Sequence, residues 1–306
     1  KTISEITILK LVLENVNLNS NSGPNSFGQK LFKYMPSLGV SFSNNPGPDA
    51  YLCFIESGRS TYNAPLYQRL DGIYFNSEFD HKAQNSNIKR TYNLAKGVIF
   101  QSQFNKELTF NYFGPHNNYA VIHNGADINL INSIEKIKID KYENIWSCAS
   151  SWRPHKRLSE NIRYFIEHAG PNDGLIIAGK VDNKFEHERI HYVGELTTEK
   201  LFGLYKASKY FIHLAWLDHC PNVVVDAMAC GCQIICSSSG GTKEIAGETA
   251  TIIQEDDWDF TPLKLYKPPE LDFTKKTKNL WHANTEYDML SVSKKYYNFI
   301  NGVKDE

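Results

Sequence analysis

The stretch from Leu217 to Gly241, LDHCPNVVVDAMACGCQIICSSSGG, constrains this chain more than any other. Its pattern predicts a loop carrying Asp218, a short helix from Asn222 to Cys230, a buried strand from Cys232 to Cys236, and a loop at Gly240 and Gly241. Pro221 suits the first turn of such a helix, because its missing N–H would have no partner there. Gly231 stops the helix in a left-handed conformation that glycine adopts cheaply. A short apolar run such as Cys232–Cys236 fits a parallel strand buried on both faces. The helix N-terminus, with unpaired N–H groups and its dipole, would face the strand ends as an anion site. Asp226 stands four residues beyond Asn222, about 6 Å along the axis at about 1.5 Å rise per residue. One carboxylate would then flank the anion and the other would sit a turn deeper. The plain alternative is a Rossmann-like helix with two solvated acids.

Sugar hydroxyls, then phosphates, then ribose hydroxyls would match that order of groups. Asp218, seven residues, then Asp226-Ala-Met-Ala-Cys-Gly231 resembles the signature of retaining family 4 glycosyltransferases of the GT-B fold. That signature has two glutamates at this spacing, then Ala-Met-Ala-x-Gly, a strand and a Gly-Gly loop. Both acids here are aspartates, one methylene shorter. The resemblance spans Tyr119 to Ile245 closely and the rest loosely. It implies that Asp218 meets the donor sugar and that Asp226 binds the ribose. Asn222, Val223, Gly240 and Gly241 would line the donor site with them.

Other segments carry the same resemblance. Ser150-Ser-Trp-Arg-Pro-His-Lys-Arg-Leu158 is similar to a Gly-Arg-x-x-x-x-Lys-Gly turn whose cations neutralise the donor pyrophosphate. Lys156 and Arg153 take that role here, and Arg157 replaces the glycine. A solvated basic turn is the alternative. Gly179-Lys180 follows a predicted strand, Leu175 to Ala178. Tyr192-Val-Gly194-Glu-Leu196 resembles the segment beside the nucleotide base, so Lys180, Gly194 and Leu196 join the donor-binding set. Tyr119-Ala-Val-Ile-His-Asn-Gly-Ala-Asp127 resembles the segment that ends the first domain, and Asn124-Gly125 reads as turn chemistry. The family's histidine near the donor sugar has no counterpart. Arg69 and Asp71, in Arg-Leu-Asp-Gly, stand in its place; an ordinary turn with a paired arginine explains them equally. Gly23, Pro24, Asn25 and Gly28 read as an acceptor-side loop at a strand end, or as a plain strand–helix turn.

Strand and helix signals alternate along the chain, the pattern of a doubly wound parallel sheet. A strand is expected at Glu5–Leu13, a helix from about Ser26 to Tyr34, and β-structure at Ile73-Tyr-Phe75. Asn129 to Tyr142 reads as a linker and Glu255 to Thr285 as loop, including Asp257-Trp-Asp259. At 306 residues the chain is long enough for two domains. We expect an acceptor-side domain at 1–130, a donor domain at 131–287, and a last helix at 288–302 packing back on the first.

A net charge of −1 argues against a general nucleic-acid binder. No apolar run reaches the roughly 18 residues of a membrane span, and the start, KTISEITILKLVL, does not read as a signal peptide. No Gly-x-Gly-x-x-Gly follows a strand, which counts against a dinucleotide dehydrogenase. The six cysteines lack zinc-site spacing and read as packing groups of a reducing compartment.

The expectation is therefore an α/β protein with two Rossmann-like domains facing a cleft. It would move a sugar from a nucleoside diphosphate sugar, UDP- or GDP-linked, to an acceptor hydroxyl with retention. No cofactor and no divalent metal are called for. The acceptor would be a glycan, or a lipid-linked or protein-linked group, and the location cytoplasmic or peripheral at a membrane. A nucleotide-sugar epimerase and a non-catalytic nucleotide-sugar-binding module remain alternatives.

Overall fold

Short apolar runs between turn residues become parallel strands throughout this chain. The computed structural model describes residues 8–20, 22–43, 47–279 and 286–303. The chain divides into two units: Lys1–Phe75 with Phe79–Gly125 and Glu286–Glu306, and Asn76–Glu78 with Ala126–Thr285.

The first unit runs β1 (Leu9–Glu14), α1 (Gly23–Tyr34), β2 (Val40–Phe42), β3 (Ala50–Phe54), β4 (Leu66–Leu70), α2 (His81–Leu94), β5 (Gly97–Phe100), α3 (Gln103–Phe113) and β6 (Tyr119–Val121). Its sheet has the order β2-β1-β3-β4-β5-β6 and is parallel at every pairing. Every residue of β3, β4 and β5 is buried, as a sheet covered on both faces requires.

Two expectations are corrected in this unit. Helix α1 starts at Gly23, so Gly23, Pro24 and Asn25 form its first turn and not a loop. Pro24 holds a helical φ and costs no hydrogen bond there. Gly28 lies inside the helix, at a position where a Cβ would come within 2.5 Å of Val16 Cγ1. The strand expected at Ile73–Phe75 lies earlier, on Leu66–Leu70, the run that pairs with both neighbours. Tyr74 is instead clamped by Asn85, which accepts from Tyr74 N at 2.8 Å and donates to Tyr74 O at 2.7 Å. The first strand begins at Leu9 among the described residues; positions 5–7 of its expected range lie outside them.

The second unit runs α4 (Ile128–Ser133), β7 (Ile145–Ala149), α5 (Leu158–His168), β8 (Gly174–Ala178), β9 (Ile190–Gly194), α6 (Thr198–Ala207), β10 (Tyr210–His213), α7 (Asn222–Ala229), β11 (Gln233–Ser237), β12 (Thr251–Ile253) and β13 (Lys276–Lys278). The strand order is β13-β12-β11-β10-β7-β8-β9. Among the described strands of this sheet β13 alone runs antiparallel; it lies inside the stretch read as loop and pairs with β12. It is three exposed residues with a lysine at each end, a short charged edge that discourages further pairing. Part of the expected linker is helical: Asp127 caps α4 by accepting from Leu130 N at 3.0 Å. Cys148, Cys232 and Cys236 are buried free thiols in this unit.

The last helix, α8 (Met289–Asn301), belongs to the first unit. Met289, Val292, Tyr296 and Ile300 enter its core with Phe27, Leu31 and Phe54. Gly125 is required there, since a Cβ would lie 2.9 Å from Val292 Cγ2. The centre of that core is a charge. Arg69 is 1% exposed. Its guanidinium lies 4.1 Å from the Phe27 ring centre and 4.8 Å from that of Phe54. Nε donates to Tyr296 Oη at 3.0 Å, Nη2 to Asn124 Oδ1 at 2.9 Å, and Nη1 pairs with Asp71. Arg69→Met should therefore cost about 3 to 5 kcal/mol, because it strands the Asp71 carboxylate in the interior. Urea denaturation measures this, and adding Asp71→Leu should recover part of the loss.

Candidate functional site

Strands β7 and β10 are neighbours although β8 and β9 separate them in sequence. The chain leaves β7 toward one edge of the sheet and leaves β10 toward the other. The two connections diverge, and the strand ends between them form the usual ligand crevice of a doubly wound sheet.

The connection after β7 is fixed from below. Trp152 Nε1 donates to Ala178 O at 2.9 Å, and Pro154–Lys156 make one 3-10 turn. Arg157 then takes a left-handed backbone, φ 51°. This is the position where the resembling pattern has glycine, and the conformation explains that glycine. Here the side chain enters a buried ion pair: Arg157 Nη1 and Nη2 reach Glu255 Oε2 and Oε1 at 2.9 and 2.6 Å. The Arg157 side chain is thus structural, bound also to Leu214 O and Pro269 O.

The connection after β10 is tied to the first one. Trp216 N donates to His155 O at 2.7 Å, and Leu217 N to Ser239 Oγ at 3.2 Å. Gly241 N donates to Asp218 O at 2.8 Å. Gly240, φ 74°, lies so close that a Cβ would sit 2.3 Å from Asp218 O. Only glycine fits there, so Gly240 and Gly241 support the peptide of Asp218.

Asp218 is the hub. Its Oδ2 accepts from Lys156 Nζ at 2.5 Å and from His213 Nε2 at 2.9 Å; Oδ1 accepts from His219 N at 3.0 Å. Asp218 lies on the expected loop, with its side chain 13% exposed and held on both oxygens. Burial alone would raise its pKa, but the Lys156 ammonium and the His213 N–H outweigh that and hold it well below the usual carboxylate range. A carboxylate only accepts, so His213 must carry its proton on Nε2. Burial lowers the His213 pKa, with Asp218 opposing, so the ring is neutral. Burial likewise pushes His155 and His219 down to about 4. His155 stacks on Tyr266 at 5.6 Å. His213 and His155 were missed in the sequence; for His213 the available signal was a histidine closing an apolar strand at its C-terminal end.

The other expected donor residues divide by environment. Asn222 and Val223 are half-buried in the first turn of α7, while Val224, Val225, Asp226 and Ala227 are buried. Asp226, at 8% exposure, lies near the fully buried Tyr205, whose pKa is raised by desolvation and then by the Asp226 charge. Arg153 is exposed, and its side chain makes no hydrogen bond or ion pair among the described residues. Lys180 is also exposed, 3.9 Å from Asp182. Gly179 and Gly194 both have positive φ, and Gly179 N donates to Gly194 O at 2.7 Å. Leu196 packs against Ile145, Ile176 and Leu204.

In the first unit, Arg69 is corrected from a ligand group to a core group, since it is buried against the Phe27 and Phe54 rings and donates to Tyr296, Asn124 and Asp71. Asp71 sits just after β4. Its Oδ1 is shared by Arg69 and Gln101, while its buried Oδ2 accepts no hydrogen bond. Desolvation raises its pKa against the opposing pull of Arg69. Among the described residues no group of three His, Cys, Asp or Glu could hold a metal ion, and no described helix is long and apolar enough to cross a membrane.

The two parallel-sheet Rossmann-like domains define the fold of GT-B glycosyltransferases. The structure of Anabaena HepE in complex with UDP-glucose is similar over 96% of this chain and 99% of its own, with TM-score 0.65 and 15% identity. Sucrose-phosphate synthase from Thermosynechococcus elongatus is similar over 96% and 94%, with TM-score 0.65 and 13% identity. A putative UDP-N-acetylglucosamine 2-epimerase from Listeria monocytogenes is similar over 97% and 96%, with TM-score 0.56 and 10% identity. Residues 149–261 match the family described as Glycosyl transferases group 1, a segment that contains Lys156, Asp218 and Asp226. Comparison with curated proteins returns no match.

The lowered histidines set a pH dependence. Unfolded histidines take protons near their ordinary value of 6.5, whereas folded His155 and His219 refuse them until about 4. The unfolded chain binds more protons in that window, so stability should fall as pH drops from 6.5 toward 4 and stay level, as far as these groups go, above it. Each group contributes at most about tenfold in the folding constant per pH unit. The Asp218 pair persists through this window, because its carboxyl protonates only well below its ordinary value. Denaturation midpoints across the window should show the fall, and His155→Gln should flatten it.

Proposed function

We propose that this chain transfers a sugar from a nucleoside diphosphate sugar to an acceptor hydroxyl with retention of configuration. The observation that carries this reading is the Lys156–Asp218–His213 cluster at the β7/β10 crevice, with Lys156 Nζ 2.5 Å from Asp218 Oδ2. The bound UDP-glucose of the HepE structure favours a UDP-linked donor, with GDP-linked sugars as the other class to try.

An ammonium has three N–H donors, and Asp218 uses one; the others can reach a diphosphate. Arg153, exposed on the same turn, would add a second cation. The first-turn N–H groups of α7, at Asn222 and Val223, would bind the same phosphates. Asp226 would accept from the ribose hydroxyls and Asp218 from the sugar. Gly194 and Leu196 would face the base through their backbone, Lys180 would stand beside them, and Gly240 with Gly241 would floor the sugar end. The first unit would take the acceptor, with Asp71 at its strand ends.

In the reaction the acceptor oxygen bonds to the anomeric carbon while the bond from that carbon to the phosphate oxygen breaks. The electron pair stays with the diphosphate, and a phosphate oxygen on the same face takes the acceptor's proton. The leaving group gains charge, and cations fixed in advance lower the barrier. This route uses no side-chain nucleophile and no divalent metal.

A thermal-shift screen with UDP-, GDP- and ADP-sugars identifies the donor, because a ligand that binds only the folded state raises the midpoint. With that donor, NMR of the product anomer tests retention, and full activity should survive excess EDTA. Lys156→Ala should remove about 2 to 4 kcal/mol of transition-state stabilisation. Asp226→Asn should mainly raise KM, since ribose contacts do not change during the reaction, while Asp218→Asn should mainly lower kcat. Each effect should exceed about tenfold, the cost of a lost charged hydrogen bond. Full activity of Lys156→Ala would sink the assignment, and release of free sugar without acceptor would favour the epimerase chemistry.

A further inference from the structure

Strand β10 ends in a residue that its setting does not call for. A strand covered on both faces favours apolar side chains. Phe211, Ile212, Leu214 and Ala215, the neighbours in sequence, follow that rule and are buried. His213 breaks it, yet it is only 3% exposed. It stands opposite Cys236 of β11, and its ring lies at 11° to that of Phe211, with 6.4 Å between centres. An imidazole N–H costs free energy in such a place unless it finds an acceptor. Its acceptor is Asp218 Oδ2, at 2.9 Å.

That bond limits what Asp218 can offer. An ionised carboxylate has about four acceptor positions, two on each oxygen. Lys156 Nζ and His213 Nε2 fill those of Oδ2, and His219 N takes one on Oδ1. The position left is on Oδ1, so the acid receives a single hydroxyl and not a vicinal pair. The two donors on Oδ2 differ in kind. Lys156 arrives on a flexible stem, and in the reading above its remaining N–H groups go to the diphosphate. Its hold on Asp218 therefore changes when a sugar nucleotide arrives. His213 stands on a buried strand, and its Nε2–H has no other acceptor among the described residues. Burial keeps the ring neutral, so it does not compete for the phosphates. With that N–H spent on Asp218, the ring acts through the acid and not on the sugar.

We propose that His213 is a positioning residue for sugar transfer: it holds Asp218 Oδ2 so that Oδ1 presents one acceptor position to one hydroxyl of the donor sugar. The proposal rests on the transferase reading above and adds how the sugar end of that site is set.

Two measurements test it. Long-range 1H–15N NMR of histidine-labelled protein, with the His213 signal identified by its loss in His213→Gln, should show a neutral ring protonated on Nε2. A ring protonated on Nδ1, or on both nitrogens at neutral pH, would overturn the proposal whatever the protein binds. Calorimetric titration then compares UDP-glucose, UDP-galactose and UDP-N-acetylglucosamine with UDP, and GDP-mannose with GDP. His213→Leu should lower the affinity for the sugar nucleotide relative to its own nucleoside diphosphate by about tenfold or more, as for a lost charged hydrogen bond. His213→Gln, whose amide can place an N–H where Nε2–H stood, should restore most of that ratio. Among monodeoxy forms of the sugar that binds, only one should fail to distinguish wild type from His213→Leu. An equal loss for sugar nucleotide and diphosphate would mark a purely structural histidine and overturn the proposal. So would an unchanged ratio, a Gln variant no better than Leu, two such deoxy forms, or a wild type that binds a diphosphate but none of its sugars. Failure of the wild type to bind either diphosphate would remove the transferase reading instead, and the NMR measurement would still judge His213.

Discussion

Asp218 joins two connections that the parallel sheet of the second unit forces apart. The loops after β7 and β10 diverge by topology, yet Lys156 from one and His213 at the root of the other meet on a single carboxylate oxygen. The backbone is arranged around that meeting: Trp216 N binds His155 O, and Gly241 N binds Asp218 O. Without a compensating cation the largely buried acid would neutralise itself. With Lys156 present it stays charged, and the charge in turn fixes the tautomer of His213.

Three buried or largely buried charges recur as organisers, and each has an opposite charge against it. Arg69 is held by rings, a phenol, an amide and a carboxylate at the centre of the first unit. Arg157 is held by both oxygens of Glu255. Asp218 is held by an ammonium, an imidazole and an amide N–H. Such groups contribute little net stability, since desolvation cancels most of the attraction. They do define geometry. Arg69 links β4, α1, Asn124 and α8, elements far apart in sequence, and Arg157 links the α5 entrance to the end of β12.

Much of this was legible in the sequence because it is local. The strand–helix alternation, the Asp218–Gly241 layout and the glycine at Gly231 all follow from periodicity and turn chemistry. The errors share a cause, which is tertiary choice between local alternatives. Ile73-Tyr-Phe75 has strand propensity, but Leu66–Leu70 is the run that two neighbouring strands accept. Gly28 resembles a turn glycine, but Val16 crowds it inside a helix. Arg69 and Arg153 are alike as letters. One is enclosed by aromatic rings that come from other elements, and the other stands in solvent, a distinction that only packing makes. His213 was overlooked because its importance lies in a partner five residues away across a left-handed Leu217.

The aspartates in place of the more usual glutamates are consistent with this packing. A carboxylate on one methylene stays near its own backbone, and Asp218 Oδ1 accordingly accepts from the next peptide N–H. It cannot reach far into a crevice, so its partners come to it. Lys156 supplies a long stem, and Gly240 lets the following loop lie against the Asp218 peptide where any Cβ would clash. A longer acid would carry its charge past His213 and the His219 N–H. The short acid, the long cation and the bare glycine are therefore one adaptation. Their mutual fit accounts for an aspartate at position 218, where the resembling pattern has glutamate.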